Sequence, residues 1–374
     1  MIHRLQQDII LGYLKDNKAL ILMGARQVGK TTILESLKSK LKKPIAFFNG
    51  DEADVRQEFE VATSTRLKKL IGSAKTVIID EAQRIENIGI IIKLIVDNIK
   101  DVKVIATGSS SFDLANKISE PLTGRKWEFQ IFPLSFEEMV NHHGLLTEKR
   151  LLEHRMLYGY YPEIVTSNGD EILRLKQLAD SYLFKDILIW ERILKPEKLE
   201  KLLQALALQI GNEVSYNELS QLTGLDNQTV ENYIQILEKA FIVFRLNAFN
   251  RNLRNELKKS RKIYFYDTGI RNVIINQFSP LSLRTDKGAL WENFLVSERM
   301  KFNHNNKRIV KRYFWRNHAQ QEIDYLEEKD NMIHAFEIKW DEKRAKKFPQ
   351  SFLKAYEPKA TEVITTGNFD SFIC

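Results

Sequence analysis

Two groups of residues have the types and spacing that chemistry needs. The first is Gly24-Ala25-Arg26-Gln27-Val28-Gly29-Lys30-Thr31-Thr32, in which two glycines bracket four residues and a Lys-Thr pair follows. Glycines so placed let the backbone curl until its amides point inward, which suits phosphate oxygens. Lys30 would neutralise β- and γ-phosphate charge, and the Thr31 hydroxyl would be a Mg2+ ligand. Further along, Asp80-Glu81 closes the run "TVIIDE". Asp80 would hold that Mg2+ through water, and Glu81 would orient and deprotonate an attacking water. The second group lies towards the C-terminus. Asp324 sits in "EIDYLEE", Glu337 and Lys339 in "IHAFEIKW", and Glu292 in "WENFLVSE". Two acids and a lysine on neighbouring strands could hold a divalent metal and activate water against a phosphodiester, with Glu292 completing the shell.

The elements around the first group read as alternating strands and helices. Ala19–Met23 is a short buried strand, the glycine loop follows, and a helix starts near Lys30, adding its N-terminal dipole to the cradle. "KPIAFFNGD", "KTVIIDE", "KVIATGSSS" and "RKWEFQIF" supply four more strands. Such alternation predicts a parallel sheet whose ligand binds at the C-terminal strand ends. Glu81 should then lie where its strand turns, because adjacent strand residues face opposite ways. Thr107, ahead of Ser109, Ser110 and Ser111, is placed to hydrogen-bond a γ-phosphate or the attacking water. Arg125, just before the fifth strand, could reach the γ-phosphate of a neighbour in a ring. No G-x-G-x-x-G string is present, which disfavours a dinucleotide enzyme, and no His-Arg-Asp or Asp-Phe-Gly set, which excludes a protein kinase.

The strings "GARQVGKTT", "IIDEAQ", "ATGSSS", "LTGRKWEFQIFPLSFEE", "KIYFYDTGIRN" and "WENFLVSE" resemble the predicted AAA+ superfamily ATPases of bacteria and archaea. In these an AAA-type ATPase precedes a C-terminal domain of unknown function. The resemblance covers nearly the whole chain and implies ATP hydrolysis and a ring-like oligomer, without supplying a substrate. Ala25 stands where a proline is more usual, a departure that should not affect phosphate binding.

Four domains are expected: an ATPase core over 1–145, a helical lid over 146–195, a winged helix over 196–275 and a nuclease-like domain over 276–374. "SYNELSQLTGLDNQTVENYIQILEKAF" reads as a helix-turn-helix, with Ser215 and Glu218 as a capping box and Gly224 at the turn. Its second helix presents Asp226, Glu231 and Glu238 but no Lys or Arg outward, which fits poorly with a phosphate-lined groove. The wing that follows is basic. Arg245, Arg251, Arg254, Lys258, Lys259, Arg261 and Lys262 face one acid, Glu256, and predict contact with a DNA backbone without base readout, the alternative being a basic surface hairpin touching a neighbouring subunit. The last quarter reads helix, three strands, helix, strand, with Asp286 as a helix cap. That order resembles the PD-(D/E)XK nuclease fold. Arg299, Lys301, Lys307, Arg308, Lys311, Arg312 and Arg316 surround Tyr313, Phe314 and Trp315, an interleaving that suits nucleic acid or, equally, a core.

Composition sets the outer limits. With 43% hydrophobic and 28% charged residues the 374-residue chain is an ordinary globular protein of more than one domain. The single cysteine, Cys374, excludes an intrachain disulfide. A reducing, cytoplasmic setting is expected, with no cleavable signal and no membrane span. The net charge of +8 is compatible with an anionic partner. The expected function is a Mg2+-dependent ATPase acting on branched or single-stranded DNA. A nucleotide-set signalling or defence switch with protein partners and an ATP-gated nuclease are the alternatives.

Overall fold

A computed structural model describes residues 2–108, 118, 121–181, 195–250, 261–344 and 347–374. The chain forms two units, one from Met1–Leu134 with Lys239–Phe241, the other from Ser135–Glu238 with Ile242–Cys374.

In the first unit, α1 (Leu5–Gly12) precedes β1 (Ala19–Met23), α2 (Lys30–Lys38), β2 (Ile45–Asn49), α3 (Ala53–Glu60), α4 (Ser64–Ile71), β3 (Thr76–Asp80), α5 (Ile88–Asn98), β4 (Lys103–Gly108) and β5 (Lys126–Gln130). The five strands pair in parallel in the order β2-β3-β4-β1-β5. Every residue of β1 and β3 is buried, as expected of strands covered on both faces. Ile88, Ile91, Ile92 and Ile95 recur at helical spacing and form the buried side of α5.

The second unit opens with α6 (Phe136–His143), α7 (Leu145–Arg150), α8 (Leu152–Tyr158), α9 (Pro162–Val165) and α10 (Glu171–Ala179). Ser135 and Glu138 close a reciprocal capping box on α6. The box expected at Ser215 is only half made there, since Ser215 accepts from the Glu218 amide at 3.4 Å. Helices assigned from sequence to a nucleotide lid are hydrogen-bonded within this unit: Asp267 accepts from the Tyr160 amide at 2.6 Å, and Asn272 donates to the Leu157 carbonyl at 2.9 Å.

Next come α11 (Pro196–Leu208), β6 (Glu213–Val214), α12 (Tyr216–Thr223), α13 (Asn227–Lys239), β7 (Val243–Ala248), β8 (Arg261–Phe265) and α14 (Thr268–Ile274). Then follow α15 (Lys287–Asn305), β9 (Lys311–Arg316), β10 (Glu322–Lys329), β11 (Met332–Ile338), α16 (Gln350–Tyr356), β12 (Ala360–Ile364) and α17 (Asp370–Ile373). The helix, three strands, helix, strand order is therefore present. Its sheet does not stop at β9, however. Asn247 and Ala248 of β7 pair in parallel with Tyr313 and Phe314, giving the order β12-β11-β10-β9-β7-β8-β6. The wing strands and the last quarter of the chain share one sheet, and the divisions expected at 145, 195 and 275 fall inside this unit.

α15 is buried on most of its circumference, so its polar residues are answered internally. Asn293 bonds the Phe265 amide (2.8 Å) and carbonyl (3.0 Å), and Glu298 accepts from the Phe136 amide at 2.7 Å. Asp286 does not cap this helix, because its carboxylate is taken by Arg271 (2.6 Å) and Arg284 (2.7 Å).

Candidate functional sites

The phosphate loop runs from the end of β1 to the start of α2. Gly24 cannot carry a side chain, since a Cβ there would stand 2.1 Å from the Ile131 carbonyl oxygen. Gly29 has φ 96° at the head of α2, a left-handed conformation that only glycine adopts without strain. Lys30 is buried, and its ammonium donates to the Gly24 carbonyl (2.9 Å) and the Ala25 carbonyl (2.7 Å). Burial pulls this ammonium down to about 8, opposed by Glu81 and Asp80. Among the described residues this ammonium has no ion pair within contact distance, and the two carbonyls hold it at the centre of the loop.

Asp80 ends β3, and the Thr31 hydroxyl lies 3.4 Å from its Oδ2. Glu81 follows at φ 48°, off the strand, as its expected task requires. Gln83 holds the Glu81 carboxylate through its Nε2 at 2.5 Å. Thr107 is fully buried, donates its hydroxyl to Asp80 Oδ1 and lies 3.4 Å from the Glu81 amide. It braces the acidic pair. Ser109, Ser110 and Ser111 lie outside the described residues.

Arg125 is not at this site. It precedes Lys126, which pairs with Ala19 at the start of β1, whereas the loop follows Met23 at its end. Four strand steps at about 3.3 Å each separate the two by roughly 13 Å. Arg125 pairs with Asp97 at 2.7 Å and keeps 40% of its side chain exposed. Sequence reading missed Arg4, whose buried guanidinium donates to the Val28 carbonyl (2.6 Å) and the Phe132 carbonyl (2.7 Å), bracing the loop from behind. Nothing local in the sequence marks it, because both acceptors are backbone atoms brought to it by the fold.

The second group also converges. Asp324 Oδ2 accepts from the Ile338 amide and from Lys339 Nζ, each at 2.8 Å, and the same ammonium is 2.8 Å from Glu337 Oε2. Glu292 Oε1 accepts from Lys262 Nζ at 2.9 Å and from the Tyr264 hydroxyl at 2.5 Å, and Lys262 also reaches Glu322. Burial raises Glu292 and Glu337 to about 7, with Asp324 adding repulsion and the lysines opposing. Burial disfavours charge on Lys262, yet Glu292, Asp324 and Glu322 together raise it above an ordinary lysine.

These residues do not fit a metal site as they stand. The Lys339 ammonium occupies the gap between Asp324 and Glu337 that a bridging cation would need, and Lys262 already holds Glu292. Among the described residues no group of three His, Cys, Asp or Glu side chains is arranged to hold a metal ion.

The basic wing is corrected in the same way. Lys262 is 1% exposed and locked in this cluster, so it cannot touch a DNA backbone. Its alternation with Tyr264 along β8 was the sequence signal that both face the acids. Arg261 lies over the Tyr216 ring (4.5 Å) and donates to its hydroxyl at 2.7 Å, with Glu231 at 3.7 Å. Arg245 is held by Glu238. Arg251, Arg254, Lys258 and Lys259, with Glu256, lie outside the described residues. Tyr313, Phe314 and Trp315 are core, at 9%, 0% and 5% exposure. Arg299 is buried against Glu327 (2.7 Å) and Lys301 against Glu298 (2.6 Å), which removes them from any nucleic-acid face.

The strand order, the glycine loop with its buried lysine and the acidic pair at the end of β3 define a P-loop NTPase domain of the AAA type. Residues 16–140 match the family described as AAA domain, residues 149–281 a domain of unknown function (DUF8612), and residues 287–373 another (DUF4143). An uncharacterized protein of Mycobacterium tuberculosis is 26% identical over 325 residues, covering 86% of this chain and 70% of that one. An uncharacterized protein of Haemophilus influenzae is 24% identical over 297 residues, covering 74% and 71%. Among solved structures, the Walker-type ATPase PABY2304 of Pyrococcus abyssi is similar with a TM-score of 0.49 and 17% identity, over 74% of this chain and 96% of that one. Residues 16–140 thus make up an AAA-type P-loop ATP hydrolase domain, to which the chain adds a C-terminal α/β unit. Among the described residues no helix is long and apolar enough to cross a membrane.

Proposed function

We propose that this ATP hydrolase is Mg2+-dependent, works as a homo-oligomer and couples hydrolysis to a nucleic-acid backbone, branched or single-stranded DNA being the substrate class. The observation that carries the reading is the convergence of Lys30, Thr31, Asp80 and Glu81 at the C-terminal ends of β1 and β3. Mg2+-ATP, when bound, supplies the transferable phosphoryl group and a metal that offsets its charge. The chain supplies the rest. Residues 24–32 offer inward amides, and Lys30 turns from two carbonyls toward phosphate oxygens. Thr31 and Asp80 offer oxygen ligands of the kind Mg2+ prefers. Glu81, positioned by Gln83, takes the proton of the attacking water, while Thr107 fixes Asp80. Arg125 stands a strand length from its own loop, so in this reading it serves a neighbour's site, in a ring in which each subunit completes the next.

The nucleic-acid part rests on charge. With Arg245, Arg261 and Lys262 taken internally, Arg251, Arg254, Lys258 and Lys259 in the β7–β8 connection are the groups that would meet phosphates. ATP turnover by the full chain is expected to rise on adding forked or single-stranded DNA. Log affinity for DNA is expected to fall linearly with log salt, and Arg254→Ala/Lys258→Ala/Lys259→Ala is expected to flatten that slope. Turnover indifferent to every DNA form, with nucleotide-dependent assembly intact, would replace this reading with that of a switch acting on protein partners.

A further inference from the structure

A cavity of about 650 Å³ opens in the first unit at the N-terminal ends of β3 and β4, the opposite end of the sheet from the phosphate loop. Lys15, Lys40, Lys42, Lys75 and Lys100 line it, all exposed, and none makes an ion pair with a described residue. The two acids in the lining, Asp16 and Asp101, offset only part of this charge. Asp16 accepts from the Trp127 indole N–H (2.8 Å) and the Lys18 amide (3.2 Å), and Asp101 is exposed. A sixth lysine prepares the site without facing a ligand. Lys103 donates all three of its protons, to the Tyr13 (3.0 Å), Asp16 (2.7 Å) and Lys18 (2.8 Å) carbonyls, and so fixes the loop that carries Lys15.

Five ammoniums, outnumbering the acids around one concavity, repel one another, and low-dielectric walls focus their field on the space between them. A bound anion removes that penalty. The volume lies within the ~300–1,000 Å³ of small-molecule sites, which favours a compact ligand over a long polymer. Leu41 and Ile99, both buried, give the cavity an apolar wall beside the lysines. We infer that this cavity binds a nucleotide-sized, multiply phosphorylated anion, with its phosphates on Lys40, Lys42 and Lys75 and any apolar moiety against Leu41 and Ile99. This site is separate from the hydrolytic one.

Calorimetric titration of the full-length Lys30→Ala variant, which weakens the phosphate loop, tests the site with inorganic tripolyphosphate and with ATP. One equivalent of tripolyphosphate is expected to bind, and adding Lys40→Ala/Lys42→Ala/Lys75→Ala is expected to lower its affinity at least tenfold. The same triple substitution in the wild-type loop should leave basal ATP turnover and melting temperature unchanged. Tighter binding of ATP than of tripolyphosphate in the Lys30→Ala chain assigns the ligand to nucleotides, and equal binding to inorganic polyphosphates. No tripolyphosphate binding, or binding that survives the triple substitution, overturns the inference. So does a triple variant that loses only single-stranded DNA.

Discussion

At the phosphate loop Lys30 rests on two carbonyl oxygens, while in the C-terminal sheet Lys339 bridges two carboxylates and Lys262 bridges two more. Both regions set lysines and acids at strand ends. They differ in what answers the positive charge. Carbonyl dipoles only partly satisfy an ammonium, and Asp80 engages hydroxyls of Thr31 and Thr107, so a phosphate with its metal can still enter and improve the balance. In the second region Lys262 and Lys339 already have their counter-charges at contact distance, and a metal would have to displace an ammonium. Residue types define a possible chemistry; the charge balance decides whether the site is open to a ligand.

The largest expected effect separates the two lysines. Lys30→Ala should reduce phosphate release by roughly 100–1,000-fold, the size seen when one preorganised charge donor is lost. Lys339→Ala, its counterpart, should leave turnover within about twofold. If both variants behave alike in a steady-state assay, the contrast is wrong. Next, Glu81→Gln should lower turnover by roughly 100-fold or more while nucleotide binding persists, because it removes a proton acceptor and keeps the shape. Asp324→Ala offers the matching probe: with Mg2+ or Mn2+ and ATP present, wild type and variant should leave DNA equally intact.

Stability reads the second region more directly. Lys262→Met strands Glu292 and Glu322 beside Asp324 without their shared cation. A cost of about 3–5 kcal/mol in urea unfolding is expected, and Lys262→Met/Glu292→Gln should regain part of it. A single variant as stable as wild type would mean that the cluster is not balanced by this lysine.

Much of the first region was readable because its chemistry is local. Gly24 to Thr32 is one loop, Asp80-Glu81 ends one strand, and period-2 burial forced Glu81 to the strand end. Thr107 was found, but its partner was not, since Asp80 reaches it only across the β3–β4 pairing. In the second region the order of elements and the meeting of Asp324, Glu337 and Lys339 followed from alternation along strands. What failed was the assignment of partners to charges. Arg245, Arg261 and Lys262 looked like one basic wing in a linear count. In the fold, Glu238 and Glu231 on α13 take the arginines, and Glu292 on α15 takes the lysine. The acids that argued against groove reading by α13 and the bases that argued for a wing contact are partners of each other. No count of charge along a chain reveals that, because the pairs form between β7 or β8 and helices distant in sequence. The merging of β7 with β9 was hidden for a similar reason: parallel pairing through two residues leaves no turn signal.

The smallest expected effect concerns protons. Burial and Asp324 raise Glu292 from an ordinary 4.5 to about 7, so the folded chain holds a proton there that the unfolded chain has released. A carboxyl raised in the folded state stabilises at low pH, and that contribution declines as pH rises from about 4.5 and is gone above about 7. Glu337 shifts the same way beside the same aspartate. The raised Lys262 and Lys339 act only in alkali, above the ordinary lysine range. Asp286, held down to about 2 by Arg284 and Arg271 against its burial, and the lowered Glu327 lose their contribution only in stronger acid. Between pH 4.5 and 7 the raised Glu298, Glu137 and Asp267 and the lowered His334 contribute as well, so it is the difference from a Glu292 variant that isolates Glu292. Over that window the wild-type chain should lose on the order of 2 kcal/mol more than Glu292→Gln, whose amide cannot titrate yet still accepts from Lys262 and Tyr264. Urea midpoints at pH 5 and pH 7.5 measure the difference. Parallel pH slopes for the two proteins would mean that Glu292 is ionised throughout, which would make the C-terminal cluster more acidic, and more open to a cation, than its lysine contacts imply.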